Sequence, residues 1–389
     1  MLELRQHKER VENIQRQIIM QPTYSQLSTL CGGARLILLD ANEFIPNRDF
    51  KNLDAYRGYG DHVNSYVRWY CNRNRKVEGD EWDKLYWQTY LNGARARIFN
   101  DYLLFLEHKR EPRKMFYKPK IKQFEKFQLI ESYQGMLDDK YDILCISMPP
   151  GTGKTTLLKF FHSAVIGWFP DDYSLFYSHS GDITRMYYDG VYQMVDDSLE
   201  YAWHDIFPDL KITSTNALMQ QFNVGKYKPF PSLQTTSVGA KSAGKVRASK
   251  FLLTDDMIGS LEEALNKNYL DKMWGAYTVD ALQRKTVDSN NNPCKEIMQA
   301  TRWSTQDVIG RLIDIYDGNN RVRVISIPAT DPETGDSNFD YAIGGFTKEF
   351  FAKQALLMDD VSYNCLYMQQ PVEREGLLFP EEKIMRYKE

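Results

Sequence analysis

The sequence has 389 residues, of which 42% are apolar and 26% are charged, a composition typical of folded globular proteins. Its formal net charge is −3, so the molecule lacks the cationic coat of many nucleic-acid-binding proteins, although local basic patches are compatible with that charge. The five cysteines are scattered without a Cys/His cluster, which argues against a zinc site or a disulfide framework. No apolar run reaches the roughly 18 residues of a membrane span, and the polar N-terminus has no signal-peptide core, so we predict a cytosolic protein.

Charge-rich helical patterns fill residues 1–115. Within 82–110, apolar residues from Leu91 to Phe105 recur at the spacing of one helix face. No motif for chemistry stands out there, and the role of this region is left open. It ends in a basic run at 109–122.

Between 116 and 330, short apolar runs alternate with helical patterns, which argues for a mostly parallel sheet covered by helices. We predict a β-hairpin at 222–239, inserted before the strand KFLLTDD. After 330 follow a polar loop, one helix and a tail. The predicted strands are 141–148, 173–180, 250–256, 295–300 and 322–329, and the main predicted helices are 155–169 and 182–197.

The stretch MPPGTGKTT (148–156) contains most of the phosphate-loop pattern G-x-x-x-x-G-K-[ST], with Met148 in place of the first glycine. It follows a predicted strand and opens a helix, the setting in which backbone N–H groups converge on phosphate oxygens. Lys154 would neutralise the phosphates of ATP, and the Thr155 hydroxyl would coordinate Mg²⁺. The predicted ATP-binding residues of the loop are Pro150, Gly151, Thr152, Gly153, Lys154, Thr155 and Thr156.

Two acids end the predicted strand KFLLTDD. An apolar strand that ends in acid is where a Mg²⁺-organising aspartate belongs, so we assign this role to Asp255. Asp256 would orient or deprotonate the attacking water.

A third strand ends in Thr301-Arg302-Trp303, at the sheet edge where ligands bind in such folds. Thr301 and Arg302 are therefore candidates for a coupling motif. Arg302 is equally suited to an ion pair or to sensing phosphate, and Trp303 is better explained by packing.

The motifs together resemble one family, the large terminase subunit of tailed bacteriophages, which is an ATP-driven DNA-packaging motor. The resemblance covers roughly residues 116–385 and depends on motif order and spacing, since no one motif is specific. The sequence departs from the family at Met148 and at Asp256, where many relatives carry glutamate. The motifs are ISMPPGTGKTT, FYSHSGDITRMYYDGV, SVGAKSAGKVRASKFLLTDDMIGSLEEA, IMQATRWSTQDVIGRL, ISIPAT and FAKQALLMDDVSYNCLYMQQPVEREGLLFP.

The resemblance implies an α/β fold of the RecA-like, additional-strand P-loop ATPase type, with a mostly parallel sheet and a largely helical N-terminal region before it. It implies Mg²⁺-dependent ATP hydrolysis that moves double-stranded DNA into a procapsid through the portal protein. It also implies a small terminase subunit as partner, a ring that is a pentamer on the portal, and a location in the host cell cytoplasm. The expected organisation is a largely helical N-terminal region at 1–115, an ATPase core at 116–330, and a junction at 331–389 toward a nuclease domain. We find no space for that domain and expect no nuclease activity from this chain.

The family also implies a catalytic arginine and an adenine-reading glutamine. Arg247 is our first choice for the arginine, with Arg185 and Arg302 as alternatives, so that Lys154, Asp256 and Arg247 form the expected catalytic set. Gln123 is the candidate for adenine recognition, although a surface amide explains it nearly as well. The basic stretches at 109–122 and 241–250 could contact DNA, or be solvated or subunit-contact faces.

Three other functions fit part of the pattern. A superfamily-2 helicase shares the phosphate loop and acidic strand end but needs a second RecA-like domain. An AAA+ ATPase shares PPGTGKT but carries a C-terminal helical lid. A nucleotide-binding adaptor would bind without turnover, which the intact Lys154, Asp255 and Asp256 argue against.

Overall fold

Helices make up the N-terminal part of the computed structural model, which describes residues 2–17, 22–76, 79–240 and 245–371. Helices α1 to α4 enclose a core of their own that includes Val11, Leu30 and Leu85. Helix α5 instead packs through Phe99 and Tyr102 into the core of the sheet described below. The bounds are α1 Leu2–Gln17, α2 Tyr24–Ala41, α3 Phe50–Asn74, α4 Asp80–Arg95 and α5 Phe99–Leu106. The domain boundary near residue 115 stays a prediction. Helix α5, which precedes that boundary, joins the N-terminal region to the sheet by this packing.

The single helix face predicted across 82–110 is wrong, because α4 ends at Arg95 and α5 begins at Phe99. Arg97, in the turn, has a left-handed backbone with φ 64°. The side-chain amide of Gln134 holds this turn: it donates to the Arg97 carbonyl at 3.0 Å and accepts from the Phe99 N–H at 2.8 Å. Apolar periodicity does not show such a long-range contact.

Eight strands form one sheet in the order β3-β4-β5-β2-β6-β7-β1-β8 within the described ranges. The six strands from β5 to β8 in that order are parallel, as predicted from the alternation of strands and helices. Strand β7 lies between the phosphate-loop strand β1 and the acidic strand β6, which is the additional-strand arrangement. The strand bounds are β1 Ile143–Ser147, β2 Ser174–Ser178, β3 Ile212–Asn216, β4 Gln221–Val224, β5 Leu233–Ser237, β6 Phe251–Asp255, β7 Lys295–Ala300 and β8 Val322–Ser326.

Helices cover both faces of this sheet. In β1, Leu144 and Ile146 belong to one apolar cluster, whereas Ile143 and Cys145 belong to the cluster on the opposite face. Strands buried on both sides read as continuous apolar runs, which is why their positions could be predicted. The remaining helices are α6 Ile121–Lys126, α7 Leu129–Leu137, α8 Lys154–Trp168, α9 Gly181–Asp196, α10 Trp203–Ile206, α11 Leu261–Leu265, α12 Lys267–Gly275, α13 Val308–Ile315, α14 Lys348–Leu357 and α15 Asp360–Leu366.

The hairpin predicted at 222–239 is confirmed in part, because β4 and β5 are consecutive antiparallel neighbours before β6, although they pair over only two residue pairs. The prediction missed β3, with which β4 forms a longer antiparallel pairing. Strand β5 pairs in parallel with β2 and meets β4 over only two residue pairs. Strand β3 is an edge strand with polar, exposed residues, so it lacks the apolar signal that marks buried strands.

The C-terminal helices α14 and α15 follow the sheet, and the predicted tail from 372 onward lies outside the described residues. Within the described ranges, no helix combines the length and the apolar character needed to span a bilayer.

Candidate active site

The phosphate loop connects β1 to α8, as predicted. Gly151 and Gly153 have φ values of 75° and 103°, a backbone region that side chains rarely adopt. Met148, which replaces the first glycine of the pattern, is fully buried in the core. The altered position therefore contributes to packing below the loop. Thr152 closes the loop by donating to the Pro149 carbonyl at 2.7 Å.

Lys154, the first residue of α8, is buried and has two partners at the carboxyl edge of the sheet. Its Nζ donates to Thr301 Oγ1 at 3.1 Å and lies 3.2 Å from Asp256 Oδ2. Thr301 follows β7, and its hydroxyl also donates to the Met148 carbonyl at 3.4 Å. The structure thus brings together Lys154, Asp256 and Thr301, three residues that come from different motifs.

Thr155 and Asp255 form the candidate metal pair. The Thr155 hydroxyl donates to Asp255 Oδ2 at 2.6 Å. Asp255 is 1% exposed, and its other oxygen, Oδ1, has no hydrogen-bond partner among the described residues. Burial, and then the neighbouring Asp256, raise the pKa of Asp255 to about 7. An orphaned buried carboxylate oxygen beside a threonine hydroxyl fits the oxygen ligands that Mg²⁺ prefers.

Asp256 has a left-handed backbone with φ 41°, which is uncommon for a residue other than glycine. Its N–H donates to the Gln299 carbonyl and its Oδ1 accepts from the Thr301 N–H, both at 3.0 Å. The Asp256 carbonyl accepts from Nδ1 of His179. These contacts fix the carboxylate toward Lys154. We did not predict His179, because its role depends on β2 and β6 being neighbours, and sheet order cannot be read from the sequence.

The structure separates the two residues of the predicted coupling motif. Thr301 lies in the site, whereas the guanidinium of Arg302 is buried in an ion pair with Asp307, with Nε 2.9 Å from Oδ2. Asp307 also caps α13 by accepting from the Gly310 N–H at 2.8 Å. Sequence analysis left open whether Arg302 forms an ion pair or senses phosphate, and in this conformation it forms the ion pair.

An aromatic wall borders the outer side of the phosphate loop. Methyl groups in place of the Gly151 and Gly153 hydrogens would lie 3.2 Å from the Phe346 ring and 2.8 Å from the Phe116 ring. Tyr341 donates its hydroxyl to the Thr152 carbonyl at 2.9 Å. Tyr341 and Phe346 belong to a segment after β8 that the sequence did not mark as part of the site.

Gln123, the predicted adenine reader, lies close to this wall. Its amide Nε2 donates to the Asp340 carbonyl at 2.8 Å. Lys120, on the same segment, has its Nζ 4.4 Å from the Phe116 ring centre and 4.8 Å from that of Tyr341. Lys120 therefore lies beside the loop, and Gln123 lies on the same segment; adenine recognition by Gln123 stays a prediction.

Arg247 lies at the amino edge of the sheet, opposite the carboxyl edge that carries the phosphate loop of its own chain. It precedes β6, whereas Asp255 ends that strand, and five strand residues span roughly 15 Å. Its side chain donates to the Gln283 carbonyl at 3.3 Å. The alternative, Arg185, pairs with Asp189 on α9 and donates to the Ala217 carbonyl at 2.7 Å. Among the described residues, no hydrogen bond or ion pair joins either arginine to Lys154, Asp255 or Asp256.

Several cations of the basic stretches have acidic partners. Lys109 pairs with Asp205 at 2.5 Å, Lys114 with Glu200 at 3.2 Å, and Lys250 with Asp288 at 2.7 Å. Residues 241–244 lie outside the described residues. DNA contact by either stretch stays a prediction.

No protein-family model matches the sequence, and no curated protein matches it significantly. Among solved structures, the chain is similar to the large terminase of bacteriophage HK97, with 12% identity, a TM-score of 0.47 and coverage of 72% of this chain. It is also similar to a mutant ATPase domain of the large terminase of Thermus phage P74-26, with 11% identity and a TM-score of 0.43 over 65% of this chain. The match spans 58% of the HK97 chain and 99% of the P74-26 chain.

Proposed function

We propose that this chain is the ATP-hydrolysing motor of a viral terminase, which moves double-stranded DNA into a procapsid through the portal. The observation that carries the ATPase assignment is the convergence of Lys154, Asp256 and Thr301 at one sheet edge, beside the Thr155–Asp255 pair. The terminase assignment is supported by the order of the motifs along the chain. The position of β7 between the phosphate-loop and acidic strands supports the additional-strand ATPase class, which the terminase assignment requires.

In the proposed mechanism, Lys154 exchanges its partner Asp256 for the β- and γ-phosphates of ATP. Thr155 and Asp255 would hold Mg²⁺, which neutralises charge that develops on the phosphates. Asp256, freed from Lys154, accepts a proton from the attacking water or orients it. Thr301 contacts both Lys154 and the side chain of Asp256. When Lys154 leaves Asp256 for the phosphates, these contacts of Thr301 would change, and the change would be transmitted to β7.

The proposed partners are double-stranded DNA, the portal protein, a small terminase subunit and further copies of the same chain in a ring. We expect the ring on the portal to be a pentamer and the protein to act in the host cell cytoplasm. These assignments come from the family resemblance. The absence of nuclease activity stays a prediction.

The ATPase assignment is tested by phosphate release from the purified chain with Mg²⁺ and ATP. Lys154→Ala should abolish turnover, because it removes the charge partner of the phosphates. Lys126→Ala is a matched control, since Lys126 is an exposed lysine paired with Asp331. Equal turnover by both variants would refute the site.

The motor assignment is tested separately from ATP hydrolysis. A double-stranded DNA translocase should displace a triplex-forming oligonucleotide from duplex DNA without separating the duplex strands. Strand separation on a forked duplex would instead favour the helicase alternative. Hydrolysis without either activity would leave an ATPase of another kind, such as the AAA+ type.

A further inference from the structure

A second cavity, of about 300 Å³, lies at the amino end of the sheet, away from the phosphate loop. Asn42 and Pro46 of the N-terminal region form one wall. The opposite wall comes from the ATPase core and includes Lys250 before β6 and Lys295 at the start of β7. A ligand in this cavity would therefore touch both regions of the chain.

Cations outnumber carboxylates among the residues that line the cavity. The three cations are Arg97, Lys250 and Lys295, and the two carboxylates are Asp139 and Asp288. Asp288 pairs with Lys250 at 2.7 Å, and Asp139 pairs with Lys295 at 3.0 Å. Both carboxylates also accept further hydrogen bonds, Asp139 from two arginines and Asp288 from backbone and side-chain amides. Within the described lining, this leaves the charge of Arg97 without a partner.

Arg97 is half-buried, and its guanidinium has no hydrogen-bond acceptor and no ion pair among the residues that the structure describes. The hydrogen bond from the Gln134 side chain to the Arg97 carbonyl holds the backbone of Arg97, so its side chain extends from a fixed position in the cavity wall. The guanidinium carbon lies 4.8 Å from the centre of the Phe169 ring, and Lys250 Nζ lies 4.1 Å from the same centre. Phe169 thus brings two cations into one corner of the cavity.

Burial acts against the positive charge of two of the lining cations, Arg97 and Lys295. Burial, and then the nearby Arg57, lower the pKa of Arg97, and Asp138 and Glu43 oppose that shift only in part. Burial also lowers the pKa of Lys295. A buried cation without a counter-charge is costly, and a bound anion relieves that cost.

We propose that this cavity is a binding site for a phosphate group, separate from the ATP site. A guanidinium offers a planar fork of N–H donors that matches phosphate oxygens, and ammonium groups beside it add point charge. The cavity is larger than one phosphate, so it admits a phosphorylated small molecule as well as the phosphate of a nucleic acid. Because its walls come from both regions, occupancy should hold the N-terminal region against the ATPase core.

The test uses the full chain carrying Lys154→Ala, which removes the ammonium group of the phosphate loop, and its result does not depend on ATPase activity. Pyrophosphate is titrated into this protein by calorimetry, with sodium chloride and acetate at equal ionic strength as controls. We expect saturable binding of pyrophosphate alone, and a thermal midpoint that rises with its concentration. Adding Arg97→Asn, which suits the left-handed backbone, should weaken pyrophosphate binding by about tenfold or more.

Arg113→Asn is the matched control, because Arg113 is exposed and is not part of the cavity. It should bind pyrophosphate like the Lys154→Ala parent. If Arg97→Asn does not fold, Arg97→Gly gives the same test, since glycine also accepts positive φ. Equal pyrophosphate affinity with and without Arg97, or equal effects of acetate, would overturn the proposal.

Competition then identifies the source of the phosphate. Displacement of pyrophosphate by a short duplex oligonucleotide would assign the site to nucleic acid. Displacement only by small phosphates such as AMP would assign it to a free phosphorylated ligand. Both results support the phosphate site, whereas failure of every phosphate compound to compete would contradict it.

Discussion

Asp256 is the residue whose conformation matters most for the proposed chemistry, because its left-handed backbone aims the carboxylate at Lys154. We expect Asp256→Asn to reduce ATP turnover by about a hundredfold or more, since a general base is removed. Asparagine accepts the same backbone and keeps an oxygen for the Thr301 N–H, so ATP binding should be preserved. Single-turnover hydrolysis and a fluorescent-nucleotide titration measure the two effects separately.

Asp255→Asn is the companion variant, and it should weaken Mg²⁺-dependent nucleotide binding itself. The opposite pattern, with binding lost in Asp256→Asn and kept in Asp255→Asn, would mean that the two aspartates have exchanged roles.

The raised pKa of Asp255 predicts that both the stability of the protein and its affinity for Mg²⁺ depend on pH. Its pKa of about 7 in the folded protein is above the ordinary 3.8, so the buried carboxyl stays protonated up to near neutrality. Its contribution to the free energy of unfolding is therefore largest below about pH 4 and declines as the pH rises to about 7. Mg²⁺ requires the ionised form, so its affinity should fall about tenfold per pH unit below about 7 and be constant above.

Titrating Mg²⁺ into the nucleotide-bound protein at about pH 6, 7 and 8 measures this slope on both sides of the folded-state pKa. Asp255→Asn should lose it. A flat profile in the unmodified protein over this range would show that Asp255 is ionised throughout.

At the scale of elements, the segment from Phe339 to Phe346 supports the phosphate loop from outside. We expect Tyr341→Phe to weaken ATP binding by about two- to tenfold, because it removes a buried hydrogen bond to the Thr152 carbonyl. The comparison variant is Tyr363→Phe in α15, whose hydroxyl is not part of the site. If Tyr341→Phe and Tyr363→Phe bind ATP equally, the segment does not hold the loop.

The elements that the sequence predicts well are those whose signal is local. Strands β1 and β6 are mostly apolar runs, β7 has an apolar centre at Ile297 and Met298, and the phosphate loop is a contiguous motif. Their convergence at one edge follows from the parallel sheet, so Lys154, Asp255 and Thr301 could be expected to lie together.

The parts that could not be predicted depend on contacts between distant residues. His179 touches Asp256 because β2 neighbours β6, and Tyr341 reaches Thr152 across 189 positions of the chain. The break between α4 and α5 depends on Gln134 in α7. Arg302 is ambiguous for a different reason: its partner Asp307 is only five positions away, and the turn between them decides whether the two side chains meet.

At the scale of the whole molecule, the N-terminal region is tied to the nucleotide site through Glu107. This buried carboxylate, just after α5, accepts from the N–H groups of Phe116 and Tyr117 at 2.8 Å each. Phe116 in turn lies against Gly153 of the phosphate loop. A displacement of α5 would therefore change the position of the wall that borders the loop.

Whether Arg247 takes part in catalysis depends on assembly of the chain into a ring. Because it lies at the opposite end of β6 from Asp255, we expect any catalytic role of Arg247 to be in the site of a neighbouring copy of the chain. If it does so, Arg247→Ala should keep nucleotide affinity while turnover falls by about a thousandfold, since such an arginine stabilises charge that develops in the transition state. Steady-state hydrolysis and a binding titration on the same preparation measure both quantities.

Mixing Arg247→Ala with Lys154→Ala chains makes this test specific for action between subunits. Each variant lacks a different half of a shared site, so in a mixed ring some interfaces pair an intact phosphate loop with an intact arginine. We expect partial recovery of ATP hydrolysis in the mixture, which neither variant shows alone. Rings that form without recovery would contradict a role for Arg247 in a neighbour's site. Normal turnover by Arg247→Ala alone would remove it from catalysis and make Arg185 the next residue to test.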